Sequence, residues 1–210
     1  MALRLNGSNT GYVELDVPAD AGSHTLTLPD GGGSSGQYLQ TNGSGGLSWQ
    51  TVSASNLTRG TAVSATGSTV DFTGIPSGVK KITLLLNAVS TSATAEIYFR
   101  IGDSGGFEST GYQSGSNRIY SNNTAETSST TDWRIRADSA DDIFNGAITM
   151  FNISGNIWVS THVIGRIQDS LRLTSIGGGT KTLSAELDRV QIGASTGSFD
   201  AGTVNIFYEV

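Results

Sequence analysis

Apolar side chains recur at every second position in short runs along this chain, and polar, glycine-rich segments separate the runs. Leu3 and Leu5, then Val13, Leu15 and Val17, then Leu26 and Leu28 mark three short strands, Leu3 to Asn6, Tyr12 to Val17 and His24 to Pro29. The segments "NGSNTG" and "PADAGS" between them are turn-forming. Two further strands, "QYLQT" and "LSWQTV", are joined by "NGSGG". From Val70 onward the runs lengthen. "KKITLLLNAVS", "AEIYFRIGD", "DWRIRA", "GAITMFNIS", "NIWVSTHVIGR", "SLRLTSI", "DRVQIGAS" and "GTVNIFYEV" read as strands bounded by Gly, Ser, Asn or Asp. The "ISGN" after Phe151 predicts a tight hairpin turn, and "SADDIF" a single helical turn capped by Ser139. The pattern predicts an all-β chain in three parts: a small β-repeat unit over 1–52, a Ser/Thr/Gly-rich linker over 53–65, and an antiparallel, jelly-roll-like β-sandwich over 66–210.

Composition sharpens this picture. Only 14% of the 210 residues are charged and 36% hydrophobic, while glycine contributes 28 residues. That balance suits strands with polar faces better than a helical enzyme. The strands of residues 1–52 are too short and too sparsely apolar to close a core within one chain, so they are expected to pack against copies of themselves. Cysteine is absent, which excludes disulfides, thiolate metal sites and a cysteine nucleophile. The net charge of -6 and the scattered basic residues, Lys80-Lys81 apart, argue against nucleic acid as a partner. No apolar run approaches the roughly 18 to 20 residues of a membrane span, and the N-terminus lacks the apolar core of an export signal, so neither a membrane partner nor Sec-type export is expected.

Several motifs carry candidate chemistry. "GDSGG" at Gly102 to Gly106 matches the nucleophile loop of chymotrypsin-like proteases, with Ser104 as the attacking residue. The two histidines, His24 and His162, lack the context that places the base in those enzymes, so the segment is read as a turn with Asp103 bonding local backbone. "GGGSSG" and "GGGTKT" do not open a helix, as a phosphate-cradling loop must, and are read as loops. Asp138, Asp141, Asp142 and Asn145 would offer oxygen ligands to a hard cation or form a solvated acidic turn. No metal or other cofactor is expected. The polar stretch from Phe107 to Trp133 reads as a long loop carrying aromatics, and two readings stand for those rings. Tyr112, Tyr120 and Trp133, with Asn122, either contact a sugar by stacking and amide hydrogen bonds, or fill the sandwich or a subunit interface.

The phrase "LRLNGSNTGYVELDVPADAGSHTLTLPDG", followed by "GQYLQTNGSGGLSWQT", resembles a segment of virion structural and tail-fibre proteins of tailed bacteriophages. "DFTGIPSGVKKITLLLNAVSTS", "IGDSGGFESTGYQSGS" and "GTVNIFYEV" are similar to a C-terminal domain of phage and prophage fibre proteins. The resemblance implies a homotrimeric virion appendage without enzymatic activity, whose partners are other tail or capsid proteins and a host-surface glycan. It implies a trimer axis lined by Leu26, Leu28, Tyr38, Leu39, Leu47 and Trp49, each contributing roughly 1.5 to 3 kcal/mol when buried. It also leaves open a head fibre, decoration or collar protein with virion partners alone. A polysaccharide depolymerase is a third possibility, with Glu108, Asp132, Asp138 and Asp142 as its candidate carboxylates.

Overall fold

The computed structural model describes residues 3–6, 8–15, 22–23, 25–52, 56–120, 123–168 and 171–210, and among them it contains strands and no helix. The chain divides into two units, Met1–Ala54 and Ser55–Val210.

The first unit consists of two hairpins. Strand β1 (Leu3–Asn6) pairs antiparallel with β2 (Tyr12–Leu15), and β3 (Gln37–Thr41) with β4 (Leu47–Thr51). In the second hairpin the Asn42 side-chain oxygen accepts hydrogen bonds from the Ser44 and Gly46 amides at 2.8 and 2.9 Å, which fixes the turn. The expected strand from His24 to Pro29 does not form. Thr27 makes one parallel bridge, to Gly46, and His24 lies outside the described residues. Pro29 can donate no ladder hydrogen bond, and the chain turns at once into the glycine loop. That loop is held in place: the Trp49 indole donates to the Gly31 carbonyl at 3.0 Å and lies against Gly33, where a Cβ would stand 2.6 Å from the ring. Gly33 also has a φ of 68°, so both the conformation and the close approach require glycine.

The second unit is a β-sandwich. Its strands are β5 (Leu57–Arg59), β6 (Val63–Ser64), β7 (Thr69–Thr73), β8 (Lys81–Thr91), β9 (Ile97–Asp103), β10 (Gly106–Phe107) and β11 (Tyr112–Tyr120). They continue with β12 (Asn123–Ser129), β13 (Trp133–Ile135), β14 (Ile143–Ser154), β15 (Ile157–Gln168), β16 (Leu171–Thr182), β17 (Arg189–Ala194) and β18 (Phe199–Glu209). One sheet runs β12-β11-β16-β15-β14-β8-β18-β5, with β6 also on β18. The other runs β10-β9-β17-β7, with β13 on β9. The eight long runs read from the sequence all become strands here, and the β14–β15 hairpin turns at Gly155, where "ISGN" predicts it.

Further expectations are corrected. Residues 57–64, expected within the linker, form β5 and β6 and pair with β18. The long polar loop after Phe107 is largely the hairpin β11–β12 at the edge of the larger sheet. Its Ser, Asn and Thr residues conceal the strand signal, and such polar side chains suit an edge. "SADDIF" is a side-chain-stabilised turn and not a helical one: the Ser139 hydroxyl accepts from the Asp141 amide at 3.1 Å, and Asp142 accepts from the Asp138 and Ser139 amides.

The core lies between the two sheets. Tyr112, Trp133, Phe99 and His162 form a chain of rings, with centroids 5.1, 5.3 and 6.1 Å apart in turn. Phe99 belongs to the smaller sheet and His162 to the larger, so this chain joins the layers. Ile82, Leu84, Phe144, Ile148 and Ile164 from the larger sheet meet Ile97, Ile101, Val190 and Ile192 from the smaller.

"GGGTKT", expected to be a loop, lies inside β16. A Cβ on Gly179 would sit 1.9 Å from the Gln113 carbonyl and 2.9 Å from Trp133, and one on Gly177 would sit 2.6 Å from the His162 ring. The glycines therefore let β16 pass beneath the rings. Gly179→Ala is expected to lower the unfolding free energy by about 3 kcal/mol. Gly115→Ala, where a Cβ meets open space, should stabilise by up to about 1 kcal/mol. Urea titration of both variants checks the contrast.

Candidate functional site

The four residues expected to contact a receptor do not form one surface. Tyr112 and Trp133 are 1% and 0% exposed, and both rings belong to the core. The Tyr112 hydroxyl bonds the Ile101 amide and carbonyl, at 2.9 and 3.2 Å, and burial pushes its phenol above its ordinary pKa. Tyr120 is exposed at the end of β11, and Asn122 lies outside the described residues. Alternation along β11 points Tyr112, Ser114, Ser116 and Arg118 inward and Gln113, Gly115, Asn117 and Ile119 outward; Tyr120 shares the parity of Tyr112 but stands at the strand's end, where it is exposed. The β11–β12 hairpin carries two open grooves, of about 530 and 380 Å³. Tyr112, Gln113, Ser128, Ser129 and Thr130 line the first, which is about equally polar and apolar, and Asn117, Glu126 and Ser128 line the second, which is mostly polar.

A ladder of ion pairs runs through the segment around β13, and the scattered sequence positions of its members hide it. Arg100 and Arg134 meet Asp132 at 3.3 and 2.7 Å. Arg134 and Arg136 share Glu96, at 2.8 and 3.1 Å. Arg136, Arg118 and Arg166 converge on Asp138 at 2.8, 3.1 and 3.4 Å, and Arg166 also binds Asp142. The period-two run "DWRIRAD" could have signalled it: Trp133, Ile135 and Ala137 enter the core, while Asp132, Arg134, Arg136 and Asp138 form the ladder.

The ladder decides how the acidic residues behave. Burial pushes the pKa of Asp132 and Asp138 up, but hydrogen bonds and charge from the arginines outweigh it and hold both below the ordinary 3.8. Burial likewise pushes Glu108 up, and Lys181 and Ser184 bring it below 4.5. A glycosidase acid must keep its proton near neutral pH, and these three do the opposite. Asp138 and Asp142 draw their positive charge from arginines, and the described residues include no group of three or more His, Asp or Glu side chains placed to hold a metal.

"GDSGG" is a two-residue hairpin turn between β9 and β10. Asp103 accepts from the Ser184 hydroxyl, the Gly105 amide and the Ala185 amide at 2.6, 2.8 and 2.8 Å, which holds its pKa below 3.8. Among the described residues Ser104 has no histidine partner. The serine that does meet a histidine is Ser116, 3.1 Å from His162 Nε2, but both are buried and His162 Nδ1 has no protein partner. The pair is thus a core contact without the orienting carboxylate of a triad.

In the first unit Leu26 and Leu28 are 69% and 70% exposed, and Tyr38 and Leu39 nearly half exposed. Leu47 and Trp49 are half-buried. Comparison with known proteins adds nothing to these observations: no family model, curated protein or solved structure matches the chain.

Burial drops the His162 pKa from 6.5 to about 4. The unfolded chain therefore takes up the proton first as pH falls. Stability from this group is fully present above pH 6.5 and declines toward pH 4, by on the order of 3 kcal/mol in total. Urea titrations across this range should show the decline, and His162→Gln should flatten it. The depressed carboxylates act in a lower window, since they lose their contribution as pH falls through and below 3.8. Arg166→Met, which leaves the buried Asp142 without its cation, is expected to cost about 3 to 5 kcal/mol, and adding Asp142→Asn, which keeps an oxygen for the Asp138 and Ser139 amides, should recover part of it in the same titration.

Proposed function

We propose that this chain is a structural component of a tailed-phage virion: a short trimeric fibre whose jelly-roll-like outer domain binds the host cell surface. The observation that carries this reading is the solvent exposure of the apolar set in the first unit. Leu26, Leu28, Tyr38 and Leu39 stand on or beside two-stranded hairpins, which have too little sheet to bury them. Other copies of the same unit would supply the missing cover, and the resemblance of "LRLNGSNTGYVELDVPADAGSHTLTLPDG" to phage fibre segments gives the setting in which copies pack in threes. Three sandwiches held together would present three weak sites at once, and avidity would make them effective. Within each sandwich the host-facing part falls to the β11–β12 hairpin. It carries Tyr120, the one exposed ring among the described members of the expected contact set, and the hydroxyl-lined grooves suited to a glycan.

Sedimentation at micromolar concentration should give three times the 21.8 kDa chain mass. Leu28→Asp combined with Leu39→Asp should weaken the association of the first unit by at least about tenfold, because the introduced carboxylates of all three chains would have to be buried together. A parent chain that sediments at its single-chain mass would overturn the fibre reading.

A further inference from the structure

Strand β15 is built the wrong way round for a sheet that faces water. Its inward positions hold Trp158, Ser160, His162, Ile164 and Arg166, so its polar and charged side chains are in the core. Its outward positions hold Ile157, Val159, Thr161, Val163, Gly165 and Ile167. Val163 is 64% exposed, while Arg166 is 1% exposed. A strand with one wetted face normally shows the opposite alternation.

The neighbours continue the pattern. Ile176 on β16, Val163 on β15, Ala147 on β14 and Leu85 on β8 lie in register as one row across the outer face. Thr149 and Thr161 face each other two residues along, and Phe151 and Val159 four residues along. No charged residue stands at an outward position of β14 or β15, and on β16 the outward Arg172 lies at one end of the face, opposite Ile167. Lys81 and Glu209, at the end of the neighbouring strands, neutralise each other at 2.7 Å. An apolar area of this extent on a sheet marks an interaction surface.

We infer that the outer face of β14, β15, β16 and β8 packs against another copy of this chain. The inference rests on the reading of the protein as a multimer and names a second place where the copies meet. Charge fits this occupant. Each chain carries a net charge of -6, so copies repel one another, and they do so least where they meet through a surface without carboxylates, such as the outward positions of these four strands. Size agrees. Strands of up to 12 residues rise about 3.3 Å per residue and lie about 4.8 Å apart, so the four strands from β16 to β8 offer on the order of 800 Å², the share each partner gives to a stable interface. Ile, Val and Thr suit the role because their β-branched side chains have little rotamer freedom to lose on docking.

The chain has no cysteine, so a single introduced thiol reports on its own position. In the full-length protein, Val163→Cys and Ile176→Cys would be alkylated with a maleimide, beside Ser109→Cys at an exposed loop position as the reference. The expected result is that both face thiols react at least about tenfold more slowly than the reference in the associated protein, because burial at an interface sets the rate. Equal rates in a protein that sediments as a multimer would overturn this inference and leave the first-unit reading standing. Slow face thiols that persist in a multimer carrying Leu28→Asp and Leu39→Asp would support the face independently of the first unit. A protein that sediments as a single chain with fast face thiols would overturn both.

Discussion

The segment 132–138 holds the sandwich together at one side, and much of the second unit is arranged around it. Its strand β13 pairs through the backbone with β9 of the smaller sheet. The amides of Arg134 and Arg136 turn the other way, donating to the hydroxyls of Ser114 and Ser116 on β11 of the larger sheet at 3.1 and 3.4 Å. Ser175 on β16 completes the attachment by donating to the Arg136 carbonyl at 2.9 Å. One short strand thus satisfies backbone groups from both layers, which a buried edge must do. The ion-pair ladder adds charge to this joint. Desolvation makes such a network costly unless every member is paired, so its value lies more in fixing one arrangement than in net stability.

Burying so much polarity has a consequence across the sheet. Ser160, His162, Arg166, Ser175 and Lys181 occupy inward positions on β15 and β16, where isoleucine or valine would be ordinary. Because side chains alternate along a strand, inward polar residues leave the apolar ones facing out. The buried ladder and the apolar outer face are two sides of the same alternation.

How far the sequence can be read follows from where its pattern is strong. Long alternating runs such as "NIWVSTHVIGR" and "GTVNIFYEV" identify their strands directly, because several apolar residues share one face. The edge hairpin β11–β12 escapes notice because "SGSNR" and "NTAETSS" carry hydroxyls and amides where apolar residues would mark a strand. "GGGTKT" misleads for another reason: its glycines answer a crowded crossing under Trp133 and His162, which is a tertiary fact invisible in local composition. The same limit applies to the rings. Composition reveals Tyr112 and Trp133 as aromatic neighbours of a polar stretch, while only the three-dimensional arrangement places them in the core and leaves Tyr120 outside.

Strand β18 lies between β8 and β5, so the first strand of the second unit pairs with a segment far along the chain. Until β18 arrives, β8 presents an unpaired edge on that side, and the sheet cannot close in the order in which its strands are made. Such non-local pairing slows folding and lengthens the time an open edge is available to other chains. A chain built this way gives its neighbours of the same sequence an opening to pair before its own sheet is complete.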